Sequence, residues 1–120
     1  MNKAIIYLFV LLLLGCSDLE TDHITGNYYI DTFEGVKSLS FKWDDIFLEV
    51  VRPVISVGSN EQYIVATQGY SSNDANFYII PLKHPVSEFP DENKIGPLSQ
   101  EEYNHLRDSL RIDIRLTKVK

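Results

Sequence analysis

The stretch VKSLSFKW, residues 36–43, sets Leu39, Phe41 and Trp43 against Ser38, Ser40 and Lys42 in strict alternation. Successive side chains of an extended chain point to opposite faces, so a period of two residues predicts a half-buried strand with Leu39, Phe41 and Trp43 in the core. The flanking sequence follows suit. Residues 27–33 are rich in Tyr and Ile, residues 46–51 form a nearly continuous apolar run, and Tyr63 to Thr67 and Phe77 to Leu82 are further short runs. Pro53 interrupts the second of these, because proline cannot donate to a ladder; Val54 to Val57 is then either a separate strand or a kinked edge. Asp44-Asp45 and Gly58-Ser59-Asn60-Glu61 read as turns, and Gly69 to Asn76 as a loop. The density of β-branched and aromatic residues favours an antiparallel sheet.

One helix is expected. Ser99-Gln100-Glu101-Glu102 has the form of a capping box, in which the Ser99 hydroxyl accepts from the Glu102 amide while the Glu102 side chain reaches back. Tyr103, Leu106 and Leu110 recur at intervals of three and four, giving one apolar stripe that can lie on a sheet, and Pro97 stops any earlier helix. Ile112, Ile114 and Leu116 then alternate with polar residues and suggest a final strand. Lys83 to Gly96, with Pro85, Pro90 and a charged DENK segment, reads as an exposed loop. The expected fold class is α+β: mainly antiparallel β-sheet with one C-terminal helix packed on it, forming a single small β-rich domain over residues 26–120.

Upstream of that domain the composition changes. Lys3 supplies a basic start, residues 4–14 are eleven uninterrupted apolar residues, and Gly15 is small. Eleven is well short of the roughly 20 apolar residues that a membrane-spanning helix needs, and the arrangement reads as a secretory signal over residues 1–15 that is cleaved. Leu13-Leu14-Gly15-Cys16 resembles the bacterial lipobox, which implies that the thiol of Cys16 receives a diacylglyceryl group and becomes the mature N-terminus. Two hydrophobic chains, at about 0.8 kcal/mol per buried CH₂, are enough for stable attachment. Residues 16–25 read as the lipidated cysteine and a flexible acidic tether. Acidic residues in that place look like the surface-export signals of some bacterial lipoproteins, and equally fit a solvated spacer on a periplasmic protein. The expected location is the cell envelope, on the periplasmic or surface face of the outer membrane if the envelope is of the Gram-negative type.

Charge and cysteine content narrow the classes. The whole chain carries a net charge of −6; loss of Lys3 with the signal leaves 10 basic against 17 acidic residues, or −7. A domain so acidic is unsuited to binding nucleic acid through phosphates and is repelled by anionic head groups. Cys16 is the only cysteine, so no internal disulfide staples a mature chain of this size, and the fold must rely on its own hydrophobic core.

The segments VISVGSNEQYIVATQ, NFYIIPLK and GPLSQEEYNHLRDSL, residues 54 to 110, together resemble a DUF3997-like family of small bacterial lipoproteins. Its members pair a β-hairpin with a YIID-like strand and a GPLSEEEF-like helix start. Pro81 stands where an acidic residue is usual, the loop before Gly96 is longer, and a terminal strand is added. The resemblance implies a fold and an envelope location; it transfers no catalytic residue.

Chemistry-bearing motifs are scarce. His23, His84 and His105 are scattered and lack the spacing of zinc ligands, and Asp44-Asp45 lacks the five or six oxygens of a calcium site. The isolated glycines form no phosphate-cradling loop. No catalytic residue, metal site or cofactor is expected. Large amphipathic rings give contact area at low entropy cost, and Tyr28, Tyr29, Trp43, Tyr63, Tyr70, Tyr78 and Phe89 supply them. Trp43 and Tyr78 are expected in the core, whereas Tyr70, in the polar GYSSND loop, is the expected contact with an envelope or secreted protein partner. The leading expectation is therefore a membrane-held, non-enzymatic binding module. A small hydrolase with a site dispersed in sequence, and a structural envelope component, are the alternatives.

Overall fold

The computed structural model describes residues 20–83 and 93–119. Its strands are β1 (Glu20–Thr25), β2 (Tyr28–Phe33), β3 (Val36–Trp43), β4 (Ile46–Val51), β5 (Val54–Ser59), β6 (Tyr63–Gln68), β7 (Asn76–Pro81), β8 (Ile95–Leu98) and β9 (Thr117–Lys118), with the α-helix α1 (Gln100–Leu110) and a short 3-10 turn at Ser72–Asp74. The expected α+β class with mainly antiparallel sheet and a packed helix is what the chain adopts, but it builds two sheets. A four-stranded meander has the order β1-β2-β3-β4, and a five-stranded sheet the order β8-β7-β6-β5-β9. All described pairings are antiparallel.

Pro53 marks the change of sheet. The chain leaves β4 at Val51 and starts β5 at Val54, so Val54 to Val57 belongs to a separate strand. Between the sheets lies one apolar layer: Tyr28, Ile30, Leu39, Phe41, Val50 and Val51 from the first face Val54, Val57, Ile64, Ala66, Tyr78 and Ile80 from the second. The other face of the second sheet carries a second layer, in which Val65 and Ile79 meet Tyr103 of α1 and Ile112 of the C-terminal segment. Apolar runs such as YIVA and YII reflect this position: β6 and β7 are covered on both faces, and a strand covered on both faces has no polar side. Each fully buried aliphatic side chain here contributes about 1.5–3 kcal/mol from burial.

The helix begins as its sequence dictates. The Glu102 amide donates to Ser99 Oγ at 3.1 Å and the Ser99 amide to Glu102 Oε1 at 3.1 Å, a closed capping box that holds the Glu102 carboxyl below its ordinary range. Tyr103 lies flat on Phe77, ring centroids 4.5 Å apart and 11° from parallel, which pins the first turn of α1 to β7.

Several expectations need correction. Gly58 and Ser59, expected in a turn, end β5. Trp43 is 41% exposed, although Leu39 and Phe41 are buried on the same face. The alternation has the right phase, but Trp43 ends β3 at the Asp44-Asp45 turn and pairs with Ile46, itself 61% exposed, beyond the cover of the second sheet. Residues 20–25, expected to be flexible tether, form β1: Thr21, Asp22 and His23 pair with Asp31, Ile30 and Tyr29, and Ile24 packs against the intersheet core. Ile95 and Gly96, expected in a loop, belong with Pro97 to β8, an edge strand where a missing N–H is tolerated. Finally, Ile112, Ile114 and Leu116 pack against the helix side of the second sheet without forming a ladder, and only Thr117–Lys118 pairs, with Val57 and Ser56.

Candidate functional site

Tyr70 lies two residues past the end of β6 and is 91% exposed. The loop that carries it is fastened at its root, where the Gly69 amide donates to the Pro53 carbonyl at 3.1 Å and Gln68 Nε2 to the Arg52 carbonyl at 2.8 Å. Tyr70 borders a groove of about 610 Å³ whose apolar side is made by Ile55, Ala75, Phe77 and Leu116. Hydroxyls of Ser56, Thr67, Ser71 and Ser72 and the ammonium of Lys118 supply its polar side. Ser56 Oγ and Thr67 Oγ1 lie 2.6 Å apart, and the Ser56 amide donates to Thr67 Oγ1 at 3.0 Å, so the two hydroxyls are held in fixed positions. Such a groove offers an aromatic platform, hydrogen bonds and one positive charge. Among the described residues its lining includes no carboxylate, histidine or thiol that could move a proton at neutral pH.

A second cavity, of about 550 Å³, opens where the β1–β2 and β3–β4 turns meet Leu82; Tyr28, Phe41, Lys42 and Trp43 contribute to its walls. Tyr28 is 3% exposed and its hydroxyl has no hydrogen-bond partner among the described residues. Burial raises its pKa to about 12, so it stays a neutral phenol at physiological pH. That hydroxyl is itself fully covered, so a molecule seated in the cavity does not reach it.

The outer face of the first sheet brings two carboxylates near a serine. Ser40 Oγ donates to Asp31 Oδ2 at 3.1 Å, and Glu49 lies across the ladder from Ser40 and pairs with Arg52 at 3.3 Å. Burial, first of all, raises the Asp31 pKa, the Ser40 hydrogen bond opposes it, and the Glu49 charge adds to the rise. A serine nucleophile must be reachable and needs a base. Ser40 is 0% exposed, and its partner is a carboxylate whose proton affinity is spent on a hydrogen bond within the sheet. The cluster satisfies the buried Ser40 hydroxyl within the sheet.

The remaining predicted residues are dispersed. His23 Nε2 lies 2.8 Å from the Gly26 carbonyl at a turn, and His105 is exposed on α1. Tyr78 is buried, as expected, with its hydroxyl donating to Gln68 Oε1 at 3.3 Å. Cys16, His84 and Phe89 lie outside the described residues. Among the described residues no three His, Cys, Asp or Glu side chains gather as a metal site, and no helix is long and apolar enough to cross a membrane. Sequence reasoning located Tyr70 but not the groove beside it, which is assembled from β5, β6, β7 and the C-terminal segment; only their pairing brings Ser56, Thr67 and Lys118 together.

A family model described as "Protein of unknown function (DUF3997)" matches residues 25–120. The chain belongs to the DUF3997 family. The match begins at the last residue of β1, so the DUF3997 domain takes in the intersheet core, α1 and the C-terminal segment alike. It extends well beyond the hairpin and helix start that carried the resemblance in sequence. No curated protein and no solved structure matches the chain.

Proposed function

We propose that this DUF3997 protein is a lipid-anchored lipoprotein of the bacterial envelope that works by binding another envelope or secreted protein and does no catalysis. The anchor is the diacylglyceryl group on Cys16, exposed once residues 1–15 are cleaved. The observation that carries the binding half is Tyr70, 91% exposed on a loop fastened at its root and bordering a groove of aliphatic, aromatic and hydroxyl groups. A ring presented this way loses little entropy on contact, which is how tyrosines come to dominate binding surfaces. Lys118 gives the groove a positive charge within an acidic molecule, which suits a partner segment carrying a carboxylate.

The test is affinity capture of the full-length protein from its native envelope, comparing the wild type with Tyr70→Ala and with Cys16→Ser. Tyr70→Ala removes a ring that the domain does not pack against, so thermal stability is expected to stay at the wild-type value while partner recovery falls by about tenfold or more, the cost of about 1.4–2 kcal/mol typical of an aromatic contact. Cys16→Ser is expected to accumulate as an uncleaved, lipid-free precursor. Equal partner recovery with Tyr70→Ala would refute the contact, and normal processing of Cys16→Ser would refute the anchor.

A further inference from the structure

Two facts about the first sheet constrain how the molecule sits on a bilayer. The described chain starts at Glu20, and Glu20 pairs with Thr32, so the polypeptide joins the sheet beside the β2–β3 turn. That turn is Glu34-Gly35, both at positive φ (53° and 78°), closing the Phe33–Val36 pair. At its shoulder Phe33 is 54% exposed and belongs to neither hydrophobic cluster. With β1 accounted for, only Ser17, Asp18 and Leu19 separate Cys16 from the sheet. Four residue steps span at most about 14 Å, so a lipid on Cys16 keeps Glu20, and with it the end of the sheet that carries this turn, within about that distance of the bilayer surface. The opposite end of the sheet, where Trp43 ends β3 next to Asp44-Asp45, lies seven steps away, or about 23 Å along the strand.

We infer that Phe33 docks in the head-group region of the bilayer beside the lipidated N-terminus and orients the domain, leaving the Trp43 end directed away from the membrane. The inference rests on the lipid anchor proposed above. A phenylalanine ring suits the bilayer surface, where it leaves water at the boundary between head groups and acyl chains. Glu34 at the tip keeps the insertion shallow, because a carboxylate does not enter hydrocarbon. The short link supplies what a single ring cannot: it holds Phe33 at high local concentration against the surface despite the repulsion between an acidic domain and anionic lipids. The occupant is the lipid surface because the chain itself delivers this turn there.

Trp43 is the only tryptophan, which makes the geometry readable by fluorescence. The probe is a neutral phosphatidylcholine vesicle with bromine on the acyl chains, a contact-range quencher. Three proteins are compared: the mature wild type, Trp43→Phe combined with Phe33→Trp, and Trp43→Phe combined with Tyr70→Trp. Each is measured both as the lipidated form from its native envelope and as an unlipidated form whose Cys16 has been coupled to a maleimide-headed phospholipid. The Phe33→Trp protein is expected to lose most of its emission in the brominated vesicle, and the wild type, reporting from Trp43, none. The Tyr70→Trp protein covers the outcome in which the loop, and not the hairpin, meets the lipid. Comparable quenching of the wild type or of the Tyr70→Trp protein, with or without quenching of the Phe33→Trp protein, or quenching of none of the three, would overturn the orientation. The coupled form separates the two ideas: if cells do not lipidate Cys16 the first arm lacks a lipidated protein, while the second still reads which face a membrane-held N-terminus presents.

Discussion

Gly96→Ala is expected to lower the stability of the domain by about 2–4 kcal/mol, from strained backbone and overpacking together. Gly96 sits in β8 at a φ of +146°, which L side chains rarely adopt, and an added Cβ would lie 2.6 Å from Tyr78 Cδ1 and 2.7 Å from the Phe77 carbonyl oxygen. Neither neighbour can give way cheaply. Tyr78 is buried in the intersheet core, and Phe77 carries the ring on which Tyr103 of α1 is stacked. The strain therefore falls on the joint between β7, β8 and the helix. At roughly 4–8 °C per kcal/mol for a domain of this size, the thermal midpoint should fall by roughly 8–32 °C. Calorimetry or urea titration measures it directly, and a variant with the wild-type midpoint would mean that β8 does not pack on β7 as described.

Leu39→Ala should cost about 3–5 kcal/mol, the range for emptying a fully enclosed aliphatic site. Leu39 is 0% exposed in the middle of β3 and faces the second sheet across the core. Ile79→Ala should cost a similar amount from the other layer, where Ile79 meets the helix side. Both layers share one sheet: β7 sends Tyr78 and Ile80 to one face and Ile79 to the other. The two variants are accordingly expected to lower a single cooperative unfolding transition seen alike by far-ultraviolet circular dichroism and by Trp43 fluorescence. Two separated transitions, with Leu39→Ala moving only one of them, would show that the sheets fold as independent units.

The strands were legible where one physical signal dominated. Alternation in residues 36–43, continuous apolar character in β6 and β7, and the reciprocal Ser99–Glu102 cap each report a local cause, and the structure places a strand, two doubly covered strands and a helix start there. The departures arose where tertiary cover decided. Trp43 obeys the alternation yet lies past the edge of the facing sheet, and nothing in VKSLSFKW records how far that sheet extends. β1 offers one apolar residue, Ile24, and is a strand because β2 presents a free ladder beside it. The hydroxyl-lined groove was legible only as Tyr70 and its loop, since Ile55, Ser56, Leu116 and Lys118 come from segments more than ten residues away. Ser38 and Ser40 were expected on a solvated face, but both are buried, and the Asp31 hydrogen bond accounts for Ser40.

The most direct measurement is the mass of the N-terminal peptide of the mature protein purified from its native membrane. The proposed anchor predicts a peptide that begins at Cys16 and carries a diacylglyceryl group on sulfur, with residues 1–15 gone. A peptide beginning anywhere else, or beginning at Cys16 with a free thiol, would contradict it.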